Sequence, residues 1–221
     1  VIFRLFFPVL VLLALGAPAR ATVLLELAGG YLEDASSSRI TYNSGLLVLV
    51  ASTLDSDFSP ITTASTLSVG GALSSGGDDI VLYTSSISGD GFMNGAQDAG
   101  EFRGTFTLTL TSAITEGDAL MLYWFPTLTS SSTSATAGVT YGMYRSSASL
   151  GTTDADGSQA WYLPADGTSG YSLLFLTPSA GSTINSTGSA TYTVAAVPEP
   201  GAALLLALGL SGLVVRGRRR R

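Results

Sequence analysis

The sequence predicts an all-β protein. Residues 22–196 read as one antiparallel β-sandwich or jelly-roll-like domain. Residues 1–21 read as a signal peptide and residues 197–221 as a segment carrying a single C-terminal transmembrane helix. Three observations lead there. No helical period persists between residues 22 and 197. In its place, short runs rich in Leu, Val, Phe, Tyr and Trp alternate with clusters of Gly, Ser, Asp and Asn, the composition of strands joined by turns. In Thr105–Thr111, Phe106, Leu108 and Leu110 alternate with threonines, the period of two that gives a strand one core face and one wet face. Many short strands without an internal helix favour packed sheets.

At the N-terminal end, Arg4 supplies a short positive region and Leu5–Leu15 an apolar one. Ala19-Arg20-Ala21 fits the small-x-small cleavage rule, so cleavage is expected after Ala21. Strands are then expected over 23–28, 46–52, 79–87, 102–111, 119–125, 138–144, 159–163, 171–177 and 189–196, with a further stretch around Leu67–Leu73. In the last of the nine, Tyr192 and Val194 alternate weakly with threonines. Ser130–Ser134 and Ser179–Ser189 belong to serine- and threonine-rich loops, which suit solvated surface or O-glycosylation.

The C-terminal segment is built from three parts in a fixed order. Val197 leads into Pro198-Glu199-Pro200, where two prolines hold the backbone extended and free of ladder hydrogen bonds. Gly201–Val215, which includes Leu210, is a run of 15 residues without a charge. In hydrocarbon such a run must satisfy its own backbone as a helix. At about 1.5 Å per residue it spans roughly 22 Å, short of a bilayer core of roughly 30 Å, and snorkelling arginines relieve part of the difference. Those arginines follow at once: Arg216, Arg218, Arg219, Arg220 and Arg221. Arg4 and this cluster both belong on the cytoplasmic side, which places the stretch between them outside.

Composition excludes several chemistries. Between residues 22 and 197 the only basic residues are Arg39, Arg103 and Arg145, against 15 acids (16 in the chain less Glu199), for a net charge of 3 − 15 = −12. Such a domain does not bind nucleic acid through its phosphates and attracts cations instead. The chain has no cysteine and no histidine, so disulfides, thiol chemistry, Ser-His-Asp systems and His-ligated zinc are out. Paired carboxylates could still serve a glycosidase. The acids, however, stand singly or in adjacent pairs such as Glu33-Asp34 and Asp78-Asp79, and no pair is marked as acid and base.

Two local patterns bear on ligands. In Asp90–Glu101, numbered as a twelve-residue calcium loop, Asp90 falls at position 1, Asn94 at 5, Gly95 at 6, Asp98 at 9 and Glu101 at 12. Phe92 at position 3 breaks the pattern, and an Asp/Gly-rich hairpin loop accounts for the same residues. No metal or cofactor is assigned, calcium being the weak candidate, and Asp154–Gly157 is a second, weaker acidic loop. Tyr123-Trp124-Phe125 and Trp161-Tyr162 could stack on sugars from a sheet face, although with Leu120 and Leu122 beside it the first cluster reads as core on alternate positions.

The order of triplet, apolar run and arginine cluster in residues 197–221 resembles the PEP-CTERM sorting signal of exported bacterial proteins, the substrate tag of exosortases. Pro198, Glu199 and Pro200 match the signature and Arg216–Arg221 its basic end. The resemblance implies transient anchoring in the inner membrane, recognition of the triplet by an exosortase, removal of the helix and delivery to the cell surface or extracellular matrix, in association with exopolysaccharide. The expectation is therefore a non-enzymatic exported surface or matrix protein whose partners are an exosortase, the inner membrane and the matrix polysaccharide. The alternative is a calcium- or carbohydrate-binding surface module on the same anchor, and a carboxylate hydrolase comes third.

Overall fold

The computed structural model describes residues 22–73, 77–89, 98–181 and 188–197. The expected signal peptide, the triplet, the apolar run and the arginine cluster lie outside them, as do Asp90 and Asn94. Eight strands are formed: β1 (Thr22–Gly30), β2 (Ser44–Ser52), β3 (Asp79–Ile87), β4 (Phe102–Thr109), β5 (Ala119–Phe125), β6 (Thr140–Tyr144), β7 (Tyr171–Leu176) and β8 (Tyr192–Thr193). The only helical element among the described residues is a single 3-10 turn at Pro178–Ala180. No helix among them is long and apolar enough to cross a membrane.

The strands make two sheets, one of three in the order β4-β1-β7 and one of five in the order β3-β2-β5-β6-β8. One core joins them. From the small sheet it takes Val23, Leu25, Leu27, Phe102, Leu173 and Phe175; from the large one Leu47, Leu49, Leu120, Leu122 and Trp124. The chain is thus all-β, with two sheets facing each other across apolar side chains. The expected uniform antiparallel pairing needs one correction, because β7 runs parallel to β1, with Leu25 opposite Tyr171 and Gly29 opposite Phe175. Parallel neighbours need a long connection, and the whole chain from β2 to β6 lies between β1 and β7.

β4 is half-buried as its alternation requires: Phe106 and Leu108 pack against the core while Arg103, Thr105 and Thr107 are exposed. β2 and β5 alternate between two cores instead. Leu47, Leu49, Leu120, Leu122 and Trp124 face the small sheet. Leu46, Val48, Val50, Tyr123 and Phe125 face a second cluster closed by Ile61, Leu67 and Leu73 from the 53–73 segment. Burial on both faces is why these strands read as unbroken apolar runs.

Two expected strands do not form. Gln159–Leu163 makes only isolated bridges, Thr153 to Gln159 and Ala119 to Tyr162. Its strand-like composition reflects burial, since Trp161 and Leu163 are core residues. The 67–73 stretch likewise holds a single bridge, Ala72 to Ile80, and serves as the lid of the outer core. The 189–196 strand shrinks to Tyr192–Thr193 on the edge beside β6.

Candidate functional site

The segment with the calcium-like spacing leaves β3 and returns into β4, so its stem is fixed by the sheets. The N–H of Gly89 donates to the carbonyl of Glu101 at 2.8 Å, that of Gly100 to Ile40 at 2.8 Å, and that of Leu32 to Gly100 at 2.8 Å. Asp98 sits on the outside of this stem. Its Oδ2 pairs with Nη1 of Arg39 at 3.0 Å, and its Oδ1 accepts the N–H of Ala99 at 2.8 Å. The Arg39 guanidinium lies 3.5 Å from the centre of the Tyr31 ring, a cation–π contact. Glu101 is different. It is fully buried, and neither carboxylate oxygen has a hydrogen-bond partner among the described residues. Of the four residues that the spacing singled out, Asp98 is thus committed to an ion pair, Glu101 is buried and unpartnered, and Asp90 and Asn94 lie outside the described residues. Among the described residues no three acids cluster closely enough to hold a metal by themselves.

The other acids serve mainly as turn formers. Oδ1 of Asp154 accepts the N–H groups of Asp156 and Ser158 at 3.1 and 3.0 Å, which makes the second acidic loop an Asx-type turn. Oδ1 of Asp34 does the same for Ser36 and Ser38, and Asp118 accepts from the Thr115 N–H. Glu33 accepts the hydroxyls of Ser179 and Ser189 at 2.9 and 3.0 Å. These carboxylates tie chain segments together at the surface.

Asp79 is the exception. It is fully buried at the start of β3, where Oδ2 accepts the N–H of Ser59 at 2.9 Å and Oδ1 has no partner among the described residues. Burial pushes its carboxyl above the ordinary 3.8, the charges of Asp78 and Asp55 push the same way, and the Ser59 N–H opposes them. A raised carboxyl suits a general acid, but Asp79 has no surface exposed to a substrate. The hydroxyl of Tyr123 is buried and unpartnered among the described residues too. Burial, and then the charge of Asp79, push it far above the usual phenol range.

The aromatic clusters belong to the core. Tyr123, Trp124, Phe125 and Trp161 are all buried, so none offers a face to a sugar. Trp124 packs on Phe175 at 5.6 Å between centroids, and its indole N–H donates to the carbonyl of Glu33 at 3.3 Å. Tyr162, half-buried, accepts a hydrogen bond from Arg145 at 3.0 Å. The exposed Tyr42 and Tyr192 stand apart, the latter stacked on Tyr141 at 5.6 Å. A surface cleft of ≈ 300 Å³ beside Asp34, Ser36, Arg39, Ser44 and Thr127 has no aromatic ring in its described lining.

The last described residues show how the C-terminal segment begins. Val194 is buried in the outer core, Ala195 bridges Thr62, and the N–H of Val197 donates to Oγ1 of Thr63 at 3.2 Å while its side chain is exposed. The residue that leads into the triplet therefore lies at the domain surface. No sequence signal marked the burial of Asp79 or of Glu101, because each stands where a turn-like stretch meets an expected strand. Comparison with protein-family models, with curated proteins and with solved structures finds no match for this chain.

Proposed function

We propose that this chain is an exported, non-enzymatic surface or extracellular-matrix protein. In this reading residues 1–21 direct export and 201–215 hold the product in the inner membrane by a helix. An exosortase then acts at Val197–Pro200 and releases a β-sandwich domain to a matrix containing exopolysaccharide. The observation that carries the reading is the order in residues 197–221: a Pro-Glu-Pro triplet, 15 residues without charge, then five arginines. The surface position of Val197 supports it, since a processing enzyme needs an accessible, extended backbone. The commitment of surface carboxylates to turns, and of the aromatic clusters to the core, gives a scaffold role more support than a carboxylate hydrolase or a sugar-stacking face.

The test is the intact mass and C-terminal peptide map of the protein recovered from its own host. A C-terminus at Pro198–Pro200 is the expected result. Recovery only as a membrane-bound species ending in Arg221 would remove the exosortase from the account.

A further inference from the structure

We propose that the carboxylate of Glu101 is a ligand for a divalent cation, calcium, bound at the stem between β3 and β4. A carboxylate offers about four lone-pair positions, and taking it out of water without a partner is costly. Glu101 is fully buried, and both of its oxygens are without a hydrogen-bond partner among the described residues. The stem's backbone donors are turned elsewhere: the N–H of Gly89 to the Glu101 carbonyl, that of Gly100 to Ile40, and that of Leu32 to Gly100.

No side-chain cation of the domain is left to neutralise it. The sequence between residues 22 and 197 has no lysine or histidine and three arginines. Arg39 is paired with Asp98 and Arg103 with Glu26. Arg145 donates to the carbonyl of Ser56 and to the hydroxyl of Tyr162. No arginine is thus placed to offset a charge on Glu101, and the domain's own net charge of 3 − 15 = −12 draws cations to it. A second buried oxygen without a partner among the described residues, Oγ of Ser88, belongs to the neighbour of Gly89 on the same stem. The carboxylate and hydroxyl are both hard oxygen donors, which suit calcium, and calcium tolerates the irregular ligand sets that magnesium does not.

The experiment is a calcium titration of the full chain in mild detergent, after treatment with a chelator, read by calorimetry and thermal unfolding. At calcium about tenfold above Kd, the unfolding midpoint is expected to rise by roughly 3–6 °C, with a smaller response to magnesium. Glu101→Gln should abolish the rise, while Glu116→Gln, at an exposed acid, should leave it intact. If Glu101→Gln does not fold, Glu101→Asp decides: it keeps the charge, shortens the reach and should weaken calcium by at least about tenfold. No calcium response in the parent chain, a response that survives Glu101→Gln, unchanged affinity in Glu101→Asp, or an equal response to magnesium would each overturn the assignment.

Discussion

Tyr83 and Phe106 lie flat against each other, ring centroids 4.3 Å apart and planes 8° from parallel, across the gap between the edge strands of the two sheets. A register slip brings Tyr83 there. Leu49 pairs with Tyr83 but Val50 pairs with Val81, so Leu82 is an extra residue in β3. In a regular strand Val81 and Tyr83 would share a face. With the bulge, Val81 joins the outer core while Leu82 and Tyr83 both pack on the core between the sheets.

The stacked pair should therefore couple β3 to β4 energetically. Tyr83→Ala, Phe106→Ala and the double variant, compared by urea unfolding, should give a coupling of about 0.5–1.5 kcal/mol. Strict additivity would mean that the stack only covers the core edge and does not join the sheets.

Gly142 is the close approach that lets Trp124 lie across β6. The two residues are register partners, and a Cβ on Gly142 would stand 2.0 Å from the indole ring. The indole cannot easily retreat, because its N–H is bonded to the Glu33 carbonyl and its ring rests on Phe175. Gly142→Ala should destabilise the domain by about 1–3 kcal/mol or more, as overpacking does. A variant that melts with the parent would show that the indole swings aside at no cost.

The proposed sorting step makes a separable prediction. Pro198→Ala with Pro200→Ala leaves the apolar run and the arginines untouched, so membrane insertion should proceed. It removes the two residues that hold the triplet extended. The variant should be exported yet accumulate in the inner-membrane fraction, and fractionation with an antibody to the domain reads this directly. Release equal to that of the parent would break the link between the triplet and processing.

Much of the architecture was legible where one physical cause dominates the pattern. Phe106 and Leu108 alternate with threonines because β4 has one wet face. Leu46–Ala51 and Ala119–Phe125 form unbroken runs because both faces of β2 and β5 are covered. Gln159–Leu163 misled because core burial and strand pairing favour the same residue types, and Trp161 and Leu163 are buried without a ladder. The parallel β1–β7 pair was hidden because pairing partners far apart leave no local trace. At the β3–β4 stem, spacing alone put Asp98 and Glu101 on equal terms. Only the fold separates an acid that has found Arg39 from one that has found no partner among the described residues.

Asp79 should give the domain a pH dependence opposite in sign to that of an ion-paired carboxylate. Its carboxyl is raised above 3.8 by burial and by Asp78 and Asp55, with the Ser59 N–H opposing. Once pH exceeds the ordinary carboxylate value, the unfolded chain releases this proton while the folded one retains it. The unfolded state then binds fewer protons, and stability falls as pH rises. The contribution is fully present below the ordinary value and is lost as pH climbs through the raised one. Asp79→Asn keeps a carbonyl oxygen for the Ser59 N–H and removes the charge, so its midpoint should overtake that of the parent as pH goes from about 4 to about 7. The Tyr123 hydroxyl is buried and unpartnered among the described residues, so adding Tyr123→Phe removes no hydrogen bond and should be neutral or stabilising in the Asp79→Asn background. The measurement is the difference in unfolding midpoint between variant and parent across that range, which cancels the other acids. A difference that shrinks with rising pH would mean that Asp79 is ionised and stabilised in place, and that the 53–73 segment is held by a charge and not by a retained proton.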